Sequence, residues 1–490
     1  MALFKNIVLT ILLIVAQLCG INVDNCPLFE DATFTSAEIS ALAEYENLAA
    51  GAEILGPERD AIEGVTDGKY LTGVTLHAGD NLYLKFPQPI DCNSIVLQET
   101  LNKIVISSDP LEGGTKQFSI YASLNGREQL IYRNDKIDSY RLCTFPTVTC
   151  DTIRIRCDQC RFSAKLNEIG VYNVQKTQQN FRINDYFVYD GLDYANNEKF
   201  KGYLDTVTDL TLFLGVVGIN ANGEVTFSPD KATFADRLNN VRAAIGDRDI
   251  KLYCNVFSAD ADAAFFSNSK KLAANLADFV TEFSLDGVDF DWEYPDTSED
   301  WDAYNQLALD LRAEFDKIGK KFSFATAGWN MKFSEEAIEA IDYFNLMVYD
   351  NTSQDSDGYH ATFKHATSAI ERLHYQGYDL QKICLGIPYY GRNIRFGNND
   401  GARWFSYFNS RIKDPWTNVG TMPVDIGDGT VTMQKGYFNG YAMVRDKTAY
   451  AIDMGLGGIM TWHTMEDLPV EESLSLHRAV QEACEQRLAQ

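Results

Sequence analysis

The chain has 490 residues, 45% hydrophobic and 12% aromatic, enough for large cores and two or three domains. Its formal net charge is −26. That balance excludes nucleic acid and anionic membrane surfaces as partners and suits a neutral or cationic ligand.

The N-terminus reads MALFKN and then IVLTILLIVAQL. One lysine before so short an apolar run is too little for a membrane span and has the form of a secretory signal peptide, with cleavage after Ala16 or Gly20. Residues 1–20 are assigned to this leader. No other long apolar run occurs, and the C-terminal EACEQRLAQ reads as a polar helix end, not a lipid-anchor signal. The expected product is soluble, secreted and without a membrane span. Of the ten cysteines, Cys19 lies in or beside the leader, six run from Cys26 to Cys160, and Cys254, Cys384 and Cys484 follow. The Cys157-x-x-Cys160 spacing is compatible with zinc, but in a secreted chain disulfides are the favoured reading, with the pairing left open. Cys254 and Cys384 sit in apolar strand-like runs and are expected as buried thiols.

Residues 22–175 read as an all-β module. Leu82–Phe86, Ser94–Gln98, Gln117–Ala122 and Thr152–Arg156 are short β-branched and aromatic runs, separated by turn signals at Asp109-Pro110, Gly113-Gly114 and Asn125-Gly126. Strands without intervening helices predict a β-sandwich. Gln175–Asn180 has the composition of a linker.

Residues 181–490 alternate strand-like with helical patterns. The predicted strands are Arg182–Val188, Leu210–Val217, Ile250–Phe257, Gly287–Trp292, Lys321–Ala327, Tyr343–Tyr349, Ile383–Pro388 and Gly458–Trp462. A helix follows the fourth, with Tyr304, Leu307, Leu311, Phe315 and Ile318 at helical spacing and Asp296 or Ser298 as its cap. This count is that of a (β/α)₈ barrel of the α/β class. The alternative, a doubly wound open sheet, would normally carry a Gly-rich first turn, and none is present.

The fourth strand lies in Asp286-Gly-Val-Asp289-Phe-Asp291-Trp-Glu293. With a period of two, Asp289, Asp291 and Glu293 share one face, and Val288, Phe290 and Trp292 share the other. Three crowded carboxylates are costly to bury ionised, and the crowding raises the proton affinity of at least one. A catalyst gains an acid near neutral pH this way. The structural alternatives are an exposed edge strand or a Ca²⁺ site, but calcium loops are turn-rich with a mid-loop glycine, whereas this segment is strand-like. The acids also come at the strand's end, before Tyr294-Pro295 stops the pairing, where α/β barrels place their chemistry. Other strand ends add Met347-Val-Tyr349-Asp350, Tyr390-Gly391-Arg392 and Trp462-His463. Carboxylates beside flat aromatic faces are what a carbohydrate-cleaving groove needs.

Residues 181–480 resemble glycoside hydrolase family 18, the chitinases and related endo-β-N-acetylglucosaminidases. The resemblance rests on Asp286-x-x-Asp289-x-Asp291-x-Glu293, on Met347-x-Tyr349-Asp350, on Leu385–Arg392 and on Gly455–Trp462. It implies a TIM barrel and substrate-assisted retaining hydrolysis. Glu293 would protonate the glycosidic oxygen and later act as base for water. The substrate's own acetamido carbonyl would attack the anomeric carbon. Asp291 would stabilise the resulting oxazolinium and share a proton with Asp289, and Tyr349 would hold the acetamido carbonyl. Asp350, Trp462, Met347, Tyr390, Arg392 and Tyr186 would bind substrate, with Trp462 as the floor, and Asp286 would be structural. The front module resembles a discoidin, galactose-binding-type sandwich, through Leu82–Phe86, Phe118–Gly126, Asp151–Arg156 and Asn167–Tyr172, which implies contact with glycans or surfaces.

Two departures from the family pattern stand out. Asn255 occupies the strand-3 position where the family has serine, yet asparagine can still hydrogen-bond a buried carboxylate. Asn393–Met454 is short for the family's insertion domain, which implies a more open groove and internal cleavage. The sequon Asn351-Thr-Ser353 follows Asp350 at the expected mouth and is expected to be unmodified. The leading expectation is cleavage of chitin, with the chitobiose core of N-glycans as the alternative substrate. A non-cleaving lectin is disfavoured because the acid, Glu293, is kept. No metal or organic cofactor is implied, because the six histidines show no ligand spacing.

Overall fold

The computed structural model describes residues 40–57, 62, 64–68, 72–99, 114–192, 194–258, 265–328, 331–351, 357–394, 402–409, 414–425 and 430–489. The leader, Cys19, Cys26, the Asp109-Pro110 turn and Thr352-Ser353 of the sequon lie outside these residues. Seven antiparallel strands open the described chain: β1 (Glu53–Leu55), β2 (Val74–Leu76), β3 (Asn81–Glu99), β4 (Thr115–Leu124), β5 (Arg127–Asn134), β6 (Arg141–Cys160) and β7 (Ala164–Tyr172). They form one hydrogen-bonded sheet ordered β2-β7-β3-β6-β4-β5, with β1 on β3. The β4–β5 hairpin turns at Asn125-Gly126, both at positive φ (52° and 76°), as its sequence predicts. Leu82–Phe86 and Ser94–Gln98, expected as separate strands, are two ends of the single strand β3. Its register against β6 shifts between Lys85 and Ile90 and again between Cys92 and Ser94, and such irregularities bend a long strand instead of ending it. Among the described residues no disulfide is formed. Cys92, Cys143, Cys150 and Cys157 are buried free thiols, with Cys92 next to Cys150.

Eight parallel strands then close a barrel in the order β12-β13-β14-β15-β16-β21-β8-β9. They are β8 (Arg182–Val188), β9 (Asp209–Phe213), β12 (Lys251–Ser258), β13 (Gly287–Trp292), β14 (Lys321–Ala327), β15 (Tyr343–Met347), β16 (Ile383–Pro388) and β21 (Gly458–Trp462). Helices follow in turn: α1 (Glu198–Leu204), α2 (Lys231–Ile245), α3 (Ser269–Glu282), α4 (Ser298–Ile318), α5 (Glu335–Ala340), α6 (Phe363–Tyr375), α7 (Tyr441–Asp453) and α8 (Leu476–Arg487). This is a (β/α)₈ barrel.

The period-two pattern of β13 explains its place. Val288, Phe290 and Trp292 point out into the layer under the helices and are buried there. Tyr304 of α4 stacks on Phe324 at 4.5 Å and meets Trp292 edge-on at 5.2 Å. Burying each such side chain is worth about 1.5–3 kcal/mol. Gly287 opens the strand because a Cβ there would lie 2.0 Å from the carbonyl oxygen of Lys321. The α4 cap is Thr297, which forms a capping box with Asp300. The expected Asp296 and Ser298 flank it but do not serve.

Two runs differ from expectation. Leu210–Val217 breaks at Gly215, whose φ is +126° and whose added Cβ would strike the carbonyl oxygen of Ser228 at 2.4 Å. The chain beyond it becomes β10 (Val216–Ile219), paired antiparallel with β11 (Val225–Ser228). Between β16 and α7 the short insertion supplies β17 (Tyr390–Asn393), β18 (Ala402–Trp404), β19 (Val419–Asp425) and β20 (Val431–Phe438), which form their own antiparallel sheet ordered β18-β17-β20-β19.

The antiparallel sheet and the barrel share a buried polar seam. Asp446 of α7 accepts hydrogen bonds from Tyr132 Oη, Arg141 Nη2, and Thr144 N and Oγ1. Arg487 of α8 binds both Asp453 and Ser94. Lys116 and Lys136 both reach Asp357, at 2.6 and 2.7 Å. The Gln175–Asn180 stretch, expected as a linker, is tied down: Thr177 exchanges backbone hydrogen bonds with Arg487 and Ala489, and Gln179 donates to the Leu456 carbonyl. Among the described residues no helix is long and apolar enough to cross a membrane.

Candidate functional site

The inward faces of the barrel strands carry polar side chains in one layer. Asp289 is its centre and is fully buried. Tyr186 Oη (2.7 Å) and Asn255 Nδ2 (3.1 Å) donate to Oδ2, while Ser323 Oγ (2.6 Å) and Asn345 Nδ2 (2.8 Å) donate to Oδ1. Asn184 and Thr211 extend the chain of hydrogen bonds from Asn345. Four other strands therefore converge on one carboxyl group, which a period-two barrel allows because each contributes one inward position at this level.

Asp291 lies one level higher, 4% exposed. Burial pushes its proton affinity well above the ordinary carboxylate range, and the neighbouring charges of Glu293 and Asp289 push it further. Only a hydrogen bond to Asn255 opposes the shift. Burial also raises Asp289, but four hydrogen bonds work against that. Two adjacent buried carboxyls titrate as a pair, and the unequal donors favour the anion at Asp289 over the anion at Asp291. Its Oδ1 has no protein partner. Glu293 is solvent-exposed at the rim, yet it lines the same cavity as Asp291. Desolvation raises its carboxyl, Tyr294 opposes by hydrogen bonding, and Asp350 adds to the rise.

That cavity, about 230 Å³, is lined by Tyr186, Asp291, Glu293, Tyr294, Ala325, Met347, Tyr349, Asp350, Tyr390, Arg392, Trp462 and Glu466. Trp462 packs against Tyr186 (5.4 Å) and edge-on to Phe213 (5.3 Å), so its ring is held on two sides. Asp350 sits at positive φ (62°). It accepts from Tyr390 Oη (2.7 Å) and from Nε and Nη2 of Arg392. Burial would raise its carboxyl, but His360 and Arg392 outweigh that and hold it well below the usual range.

Ten of the eleven residues singled out in the sequence gather here. Asp289 lies directly beneath, and nine line the cavity. The eleventh, Asp286, expected to be structural, is at the opposite end, where Oδ2 accepts from the Leu252 amide and Oδ1 faces Lys320. Tyr186, expected to bind substrate, also turns its hydroxyl down onto Asp289. Asn255, the departure from the serine pattern, donates from Nδ2 to Asp289 at 3.1 Å. A larger cavity, about 1220 Å³, opens at the other end of the barrel around Asp286, Arg182, Asp209 and Lys321. Its charges are paired with each other, as Arg182 is with Asp209 at 3.1 Å, and it is remote from the carboxylate row. Sequence reasoning missed Ser323, Asn345, Asn184 and Thr211, which look like ordinary strand residues, and Glu466 and His360, which belong to no motif; Tyr294, read only as the end of the strand, also lines the cavity. Among the described residues no cluster of three or more His, Cys, Asp or Glu is arranged to hold a metal ion.

Comparison with known proteins bears on this geometry. Endochitinase 1 of Metarhizium robertsii is 25% identical over 262 residues, 45% of this chain and 60% of that protein. Secreted chitinase LysM12 of Penicillium expansum is 27% identical over 224 residues, 39% of this chain and 15% of that one. The chain thus spans less than two thirds of the length of these relatives. Among solved structures, the GH18 chitinase ChiB from the chitin utilization locus of Flavobacterium johnsoniae aligns with a TM-score of 0.49 and 22% identity, covering 63% of this chain and 94% of that one. The model of the family Glycosyl hydrolases family 18 matches residues 186–467, more than half of the chain. This chain belongs to glycosyl hydrolase family 18.

Proposed function

We propose that the protein is a secreted chitinase that cleaves β-1,4 linkages between N-acetylglucosamine units by substrate-assisted retaining hydrolysis. The observation that carries this reading is Asp291: a buried carboxyl, its proton affinity raised by burial and by its neighbours Glu293 and Asp289, with an oxygen unpartnered beneath the cavity that Glu293 overhangs. Glu293 gives its proton to the glycosidic oxygen as the bond to the anomeric carbon breaks. The acetamido carbonyl of the same sugar forms the new bond to that carbon, and Tyr349 holds it in line. As positive charge grows on the oxazolinium, its attraction for the Asp291 anion drives the shared proton onto Asp289, against the four hydrogen bonds that favour the Asp289 anion. Asp291 is left anionic beside the cation, in a dry site where that attraction is strong. Glu293 then takes a proton from water, which opens the ring with retention. Trp462 supplies the floor, and Met347, Tyr390, Arg392 and Asp350 supply the walls. The leader-like N-terminus supports secretion, and the chitinase names of the relatives support chitin over other glycans. We assign residues 22–175 to an accessory β-domain that contacts glycan or surface and 181–490 to the catalytic domain.

The test is product analysis on chitin oligosaccharides beside an N-glycoprotein, with Glu293→Gln as control. Release of short N-acetylglucosamine oligomers by the native protein alone is expected. Release of N-glycans instead would move the substrate, and equal turnover by Glu293→Gln would remove the acid.

A further inference from the structure

Glu466 lies in the short turn after β21, four residues past Trp462, and is 5% exposed. It nevertheless lines the cavity that holds Asp291 and Glu293. Its Oε1 is 3.5 Å from His463 Nε2, and its Oε2 is buried with no protein partner. A buried carboxyl oxygen without a partner costs roughly 1–3 kcal/mol, so a fold that keeps one beside a ligand cavity has placed it there for a group it does not itself contain. The charged groups that face it are His463 on its own turn, Arg392 from beyond β16 and Asp350 from the end of β15. The last two are already paired with each other. The contact with His463 is an ion pair only when that histidine is protonated, and burial raises the Glu466 carboxyl to about 8. A neutral carboxylic acid both donates and accepts, as a sugar hydroxyl does.

We propose that Glu466 is a substrate-binding residue of this cavity, hydrogen-bonding through Oε2 a hydroxyl or amide group of a neutral N-acetylhexosamine unit seated against Trp462. The inference rests on the proposed activity and adds a specificity contact that none of the strand-end motifs contains. It predicts that glutamine, which also donates and accepts, substitutes well, while alanine does not.

The test measures affinity for a chitin tetrasaccharide by calorimetry in the Glu293→Gln background. Adding Glu466→Ala is expected to weaken binding about tenfold, the scale of one lost hydrogen bond. Adding Glu466→Gln should weaken it less than about threefold. With Glu293 intact, Glu466→Ala should raise KM more than it lowers kcat. A purely structural Glu466 would instead lower the melting temperature in both variants and leave affinity within twofold, which would overturn the inference. If Glu293→Gln alone binds no tetrasaccharide, the proposed function fails rather than this contact.

Discussion

Tyr186→Phe deletes one hydroxyl and leaves the ring against Trp462 and Phe213. The hydroxyl donates to Asp289 Oδ2 at 2.7 Å in a fully buried site, where Asn255 is the other donor to that oxygen. A hydrogen bond to a charged group contributes roughly 1.5–3 kcal/mol. In the proposed mechanism Asp289 must take the proton as the cation forms. Its donors stabilise the anion, so deleting one raises the proton affinity of Asp289 and draws the proton from Asp291 already in the free enzyme. The Asp289–Asp291 proton equilibrium then shifts by up to about 10- to 150-fold, at tenfold per 1.36 kcal/mol, and kcat should hold or rise while the lost bond lowers stability. KM should move little, because the hydroxyl points beneath the cavity. Ser323→Ala is the sharper companion: Ser323 Oγ donates to Asp289 Oδ1 at 2.6 Å, and its side chain lies outside the cavity wall. Steady-state kinetics on a chromogenic chitin oligosaccharide reads both. A kcat that falls tenfold or more in both variants, with the fold intact by circular dichroism, would refute the claim that the proton moves onto Asp289 in the reaction.

Other outcomes follow from the same geometry. Glu293 must be protonated to act as an acid, and its affinity for the proton is raised, so activity is present below that raised value and lost as pH rises through it; a kcat/KM profile flat far above the usual carboxylate range would contradict this. Asp350→Asn removes a negative charge that helps raise Glu293, so the alkaline limb should move to lower pH whatever happens to the maximum rate. Asp446→Ala leaves Arg141, 1% exposed on its side chain, as a buried cation without its carboxylate, which should cost about 3–5 kcal/mol in denaturant unfolding; an unchanged midpoint would count against the seam.

The barrel was largely legible because its strands are short, buried on both sides and bounded by breaks. Gly287–Trp292, Lys321–Ala327, Ile383–Pro388 and Gly458–Trp462 coincide with their predicted limits. The acid row was legible because period two makes Asp289 and Asp291 face inward whenever Val288 and Phe290 face outward. What stayed hidden depends on contacts between distant strands. Nothing local distinguishes Ser323 or Asn345 from any strand serine or asparagine until closure brings them to Asp289. The β10–β11 hairpin was hidden by an apolar run continuing across Gly215, where a positive φ and the close approach of the Ser228 carbonyl require glycine. Glu466 was invisible because its meaning is a missing partner, and a sequence records no absences.

Lys116 and Lys136, from the antiparallel sheet, hold Asp357, and three residues further on His360 meets the Asp350 carboxylate at 3.4 Å. The rim of the cavity is in this way guyed from outside the barrel, as a mast is from the deck. A fragment starting at residue 181 would uncover Asp446, strip Asp357 of both lysines and lose the Ser94 anchor of Arg487. Such a fragment should melt earlier than the full chain, and the full chain should melt in a single calorimetric step. Two well-separated steps would mean that the halves stand alone.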